Sequence, residues 1–199
     1  MCDDSYITLR VVENCAHGLG LRWNAADRVL INAHPLWLLL LSALRPLTGE
    51  VYFTTIFTGM ALSFVAVLLM ARTAATASAA TAAVAILLSS RAFVDFTTGG
   101  LENPLAYLLL ALFFGMLARG TAGLRRLAGV SLVASLTFTT RYDLVLLIGP
   151  ALIAAWWRQR SLAATAAVAA GMLPLLAWSG AATIYYGTPL PIVSHAKLF

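Results

Sequence analysis

Charge is scarce in this chain. Only 11% of its 199 residues are Asp, Glu, Lys or Arg, and eight of them are carboxylates. Together with a mean hydropathy of +0.87, that scarcity excludes an ordinary soluble domain and points to a polytopic membrane protein. Cysteine is scarcer still. Cys2 and Cys15 are too few for a disulfide framework and lack the spacing of a metal site. Runs of like charge are missing too: the net charge is +5, but the basic residues stand singly between apolar segments. That pattern excludes nucleic acid as a partner. Nothing apolar precedes Asp3-Asp4, so no secretory leader is expected, and the abrupt ending HAKLF suggests a fragment at both ends.

What is present is apolar length. A helix needs about 20 apolar residues to cross the hydrocarbon core, and residues 51–71 supply them. Residues 73–90 follow, rich in the small Ala and Thr that let helices approach closely. Further spans are expected at 101–118, with Pro104 in the first turn, at 127–140 and 144–157 hinged by RYD, and at 161–182, kinked by Pro174. Residues 35–44 are too short to span and read as an interfacial helix. The expected fold is an all-α, polytopic transmembrane bundle. Residues 1–49 form an outer loop with the acid pair and interfacial helices, 50–183 a six-helix bundle, and 184–199 a second outer loop.

Charge sidedness supports this layout. With residue 51 at the outer face, the inner connections carry Arg72, Arg119, Arg125, Arg126, Arg158 and Arg160, and all eight carboxylates fall outside. Chemistry therefore belongs to the outer face. The helices flanking Arg141-Tyr142-Asp143 have about 14 apolar residues each, roughly 21 Å of rise, so this turn should lie below the outer surface. Two readings of it stand: an ion pair closing a helical hairpin, or a site facing a buried anionic head group. Glu102 begins a helix and is either a cap or a positioning group, and Asp95 reads as an ordinary loop carboxylate. His34, before Pro35, is a packing residue or a ligand. His195 and Lys197 follow a Gly/Pro-broken loop and, facing the pocket of Arg141, would hold a phosphate. Asp3-Asp4 lead into an amphipathic helix with Ile7, Val11 and Cys15 on one face, which allows them to be a cap or a reactive pair.

In order, DDSYITLRVVENCAHGLGLRWN, HPLWLLLLSAL, TTGGLENPLAYLLLALFF, TRYDLVLL and YYGTPLPIVSHAKL span nearly the whole chain. This series resembles the GT-C class of integral-membrane glycosyltransferases, most of all the bacterial group that contains the terminal arabinofuranosyltransferase of the mycobacterial cell wall. Members of that class carry a membrane helix before the acids and continue past YYGTPLP, so the expectation is the N-terminal part of such an enzyme without its first helix. The resemblance implies transfer of a sugar, arabinofuranose by likeness, from a polyprenyl-phosphate donor to a cell-envelope glycan acceptor, at the extracytoplasmic face of the bacterial plasma membrane. Asp3 or Asp4 would then be the general base of an inverting reaction. Arg141, His195 and Lys197 would stabilise the leaving phosphate, and His34, Glu102 and Asp143 would position it. A divalent cation, Mg or Mn, held by Asp3, Asp4 or Glu102, is the cofactor the class allows. The alternatives are a non-catalytic membrane scaffold, a motility-associated factor or an inactive truncated copy.

Overall fold

A computed structural model describes residues 1–24, 26–189 and 191 of the chain. It is all-helical: 75% helix and, among the described residues, no strand. The helices are α1 (Ser5–Ala16), α2 (Pro35–Thr48), α3 (Tyr52–Thr73), α4 (Ala77–Ser89), α5 (Arg91–Thr97), α6 (Asn103–Ala118), α7 (Leu124–Thr140), α8 (Val145–Trp157), α9 (Leu162–Gly171) and α10 (Leu173–Tyr186), with a 3-10 turn, Tyr142–Leu144, before α8.

Local chemistry sets many of these ends. Pro35 opens α2, where its missing N–H costs nothing, and Gly49 closes it at φ +78°. The Glu50 carboxylate accepts from the amides of Phe53 (3.0 Å) and Thr54 (2.8 Å) at the start of α3. Thr76, Ser90 and Ser161 cap α4, α5 and α9 through their hydroxyls.

Close approaches through glycine fix the order of packing. A Cβ on Gly59 would lie 3.4 Å from Pro104 at the start of α6, and one on Gly115, near the end of α6, would lie 3.3 Å from Thr73 at the end of α3. So α3 and α6 run side by side in the same direction. α7 returns along α6 and brings Arg141 back to Asn103. α9 and α10 follow α7: a Cβ on Gly171 would lie 2.5 Å from the Ser131 Cβ and 2.7 Å from the Ala128 carbonyl. Ser131 donates to the Val168 carbonyl (2.8 Å), and Ser135 accepts from the Leu175 amide (3.0 Å), one of the amides freed where the helix restarts.

The bundle therefore has two ends. At one, α3, α6 and α8 begin, with Glu50, Glu102 and Asp143 beside those starts; at the other stand Arg72, Arg119, Arg125, Arg126, Arg158 and Arg160. One buried core joins α1, α2 and α6 through Val12, Trp37, Leu38, Leu41 and Leu105. A second joins α6, α7 and α8 through Phe113, Val130, Ala134 and Ile148. Much large apolar surface faces outward, including Phe57, Phe64, Leu146 and Ile184.

Three expectations change. Six crossing helices were expected, but among the described residues, by length and apolar composition, one helix, α3, is a candidate span; α4–α5 and α9–α10 raise the count to three if each bent pair is one span. The reason is length and bending. α6 has 16 residues, a rise of about 24 Å against a core of about 30 Å, and the two pairs bend by 73° and 51°. The α9–α10 break falls at Gly171–Met172, ahead of Pro174, where the close contact with α7 sits. Finally, α1 buries Ser5, Thr8, Leu9, Val11 and Val12, leaving Ile7 and Cys15 only partly covered. The small hydroxyl residues turn inward because Ser5 packs against Gly100, where a Cβ would meet it at 2.9 Å.

Candidate functional site

The polar cluster at the acidic end is built around the Gly99–Gly100 turn. The Cys2 amide donates to the Gly99 carbonyl (2.8 Å), Ser5 donates back to the Cys2 carbonyl (2.6 Å), and the buried indole of Trp37 donates to the Gly100 carbonyl (3.2 Å). Three segments distant in sequence are thereby held at the start of α6. Gly100 makes this possible with φ +82°, a conformation that favours glycine.

Two residues on stands Glu102. It is 5% exposed and makes no side-chain cap bond. Its Oε2 lies 3.4 Å from His34 Nδ1 but has no hydrogen-bond partner among the described residues, and its Oε1 lies 3.5 Å from Arg141 Nη1. Arg141 is heavily engaged. Its Nε and Nη2 donate to the two oxygens of Asp143 at 3.1 and 2.8 Å, and its Nη1 donates to Asn103 Oδ1 at 2.9 Å. Burial holds the His34 imidazole below its ordinary value of 6.5; Glu102 opposes that shift, Arg141 adds to it, and Asp4 opposes it. The bond from the Cys2 amide to the Gly99 carbonyl holds the segment that carries Asp4 at the same end, where Asp4 acts on His34 electrostatically.

No family model, curated protein or solved structure matches this chain.

The expected site residues thus separate. Asp4, His34, Glu102, Arg141 and Asp143 share one end of the bundle, and Asp3 is exposed beside Asp4. Asp4 occupies the N-cap position of α1 with αR backbone and no cap bond, so capping does not account for it. Asp95 lies in α5, not a loop, with Arg91 Nε at 3.3 Å. His195 and Lys197 lie outside the described residues. Two partners of the cluster carried no clear signal in sequence: Asn103 as the acceptor for Arg141, and Trp37 as the strut beneath Gly100. An Asn just before a helix-opening Pro was the one available hint.

The cluster does not fit a divalent cation. Among the described residues no three His, Cys, Asp or Glu side chains converge, and the inward carboxylate, Glu102, faces a guanidinium.

An apolar groove of about 530 Å³ lies between α3, α4, α5 and α6, lined by Val67, Met70, Leu87, Phe93, Tyr107 and Phe114 among others. Its upper wall, where Phe93 stacks on Tyr107 with centroids 4.9 Å apart, is one helical turn below Asn103. A charged head held at the cluster and a long apolar tail laid along α6 is the ligand shape this pairing suits.

Proposed function

We propose that the chain is a GT-C-like polytopic membrane glycosyltransferase of the bacterial plasma membrane, with its active face extracytoplasmic. It moves a sugar, arabinofuranose by likeness, from a polyprenyl-phosphate donor to a cell-envelope glycan. Asp3 or Asp4 takes the proton of the acceptor hydroxyl while its oxygen bonds to the anomeric carbon. The bond from that carbon to the phosphate oxygen breaks on the opposite face, inverting the centre and releasing polyprenyl phosphate. Arg141, His195 and Lys197 meet the charge that develops on the phosphate, and His34, Glu102 and Asp143 position it. The observation that carries this reading is the adjacency of a His34–Glu102–Arg141 cluster to an apolar groove one turn below it.

One observation favours the non-catalytic scaffold. Arg141 is already satisfied by Asp143, Asn103 and Glu102, as an ion pair that closes a helical hairpin would be. Transfer from a polyprenyl-phosphate arabinose donor, assayed in membranes bearing wild type, Asp3→Asn or Asp4→Asn, separates the two. The transferase predicts a loss of about 10²–10⁴-fold in one variant. Equal transfer in all three removes the base assignment, and transfer in none favours the scaffold.

A further inference from the structure

The far end of the bundle holds a second arrangement that the transferase reading leaves unused. Arg160 is the one non-glycine among the described residues with positive φ, at +35°. An L-residue reaches that region only against steric resistance, so something holds this one there. The turn is pinned on both sides: Gln159 Nε2 donates to the Thr121 carbonyl (2.6 Å), and the Arg160 amide donates to the Trp156 carbonyl (3.1 Å). The strained backbone lays the guanidinium over the Trp157 ring, 3.6 Å from its centroid.

Stacking occupies the face of the guanidinium and leaves its N–H edges outward. Those edges make no hydrogen bond or ion pair among the described residues. The nearest carboxylate in sequence, Asp143, is paired with Arg141 at the opposite end of α8. Beside the stack is a hollow of about 470 Å³ lined by Trp156, Trp157, Arg160, Ser161, Leu162 and Thr165. Its floor is ordered, with Trp156 Nε1 donating to Thr165 Oγ1 (3.1 Å). Its lip is apolar and open: Trp157 is 55% and Leu162 88% exposed.

We propose that this hollow binds the phosphate of an anionic phospholipid, with the Arg160 edge on the phosphate and the acyl chain against Trp157 and Leu162. The choice of a lipid rests on charge and apolarity together. A free anion has no use for the exposed Trp157 and Leu162, and a zwitterionic head brings its own cation to an end already crowded with arginine. The site requires that the chain reside in a bilayer, and it is independent of the transferase reading.

The test uses the full chain in phosphatidylcholine nanodiscs with increasing phosphatidylglycerol brominated on its acyl chains, read by quenching of tryptophan fluorescence. A Trp157→Phe sample isolates the Trp157 signal. Wild type should show saturable quenching of Trp157 by phosphatidylglycerol and none beyond background by brominated phosphatidylcholine. Arg160→Gly, which suits the positive φ and so preserves the turn, should weaken the half-saturation about fivefold, as expected for losing one arginine at an anionic surface. Arg72→Gln, at the same end but outside the hollow, should change it little. Equal quenching by both lipids, an unchanged half-saturation in Arg160→Gly, or an equal loss in Arg72→Gln would overturn the site. Full competition by millimolar inorganic phosphate would reassign it to a free anion and overturn the lipid.

Discussion

Arg141→Ala tests the electrostatics of the acidic end most directly. Unit charges 3.5 Å apart, as in Arg141–Glu102, interact by about 5 kcal/mol at an effective dielectric near 20. Desolvation offsets much of that, so the intact pair contributes little net stability. Removing one partner is different, because the Glu102 carboxylate stays shielded from water at 5% exposure and keeps only His34 at 3.4 Å. The loss should be about 3 kcal/mol, the low end for a broken buried pair, since the Arg141 side chain is itself 34% exposed and water enters with its removal. The other contacts add less. The Asp143 carboxylate is 60% exposed, and pairs of that kind contribute at most about 1 kcal/mol; the neutral bond to Asn103 adds about 1 kcal/mol. If the stranded charge is the main cost, Glu102→Gln in the Arg141→Ala background should recover about 2 kcal/mol. Reversible unfolding of the full chain in mixed micelles, followed by tryptophan fluorescence, measures both variants. A double variant no more stable than Arg141→Ala would refute the reasoning, because Glu102 would then not be the group left in difficulty.

Gly171→Ala should lose about 1–3 kcal/mol by overpacking against Ser131 and Ala128, whereas Gly180→Ala, whose Cβ would meet nothing within 4 Å, should be neutral or slightly stabilising; thermal unfolding in detergent compares the two. Burial lowers the pKa of His34 in the fold, so the unfolded chain binds more protons below the ordinary value, and stability should be full above about pH 6.5 and fall as pH drops through the lowered folded value. His34→Gln should flatten that slope in unfolding midpoints measured from about pH 7.5 down to about pH 4.5. Trp37→Phe removes the bond to the Gly100 carbonyl and should cost about 1 kcal/mol, with faster hydrogen exchange at the Cys2 amide as the local readout.

Much of the helical order was legible because apolar runs and capping residues announce it: Pro35 opens α2, Pro104 lies in the first turn of α6, and RYD separates α7 from α8. Crossing number was not legible, since a hydropathy window averages through a bend. Ser90 ends α4 and its hydroxyl caps α5, so RAFVDFT, read as loop, restarts as helix at 73° to its predecessor. The contacts of Glu102 were equally hidden. Its position at a helix start suggests a cap, and only the return of α7 alongside α6 reveals that it faces Arg141 instead. Asp4 shows the converse: its N-cap position was readable, but its lack of a cap bond is a matter of side-chain direction.

The composition of α7 bears on the order in which the chain completes its fold. Ser131, Ser135, Thr137, Thr139 and Thr140 are all buried, and Arg125 and Arg126 stand at the start of the helix. Its three threonines bond carbonyls of α7 itself, but Ser131 and Ser135 find their partners on α9 and α10, which leave the ribosome later. Until those helices arrive, the two hydroxyls lack their native partners. α7 is therefore finished late: a chain cut short before Leu162 would leave Ser131 and Ser135 without the carbonyl and amide that complete them in the fold.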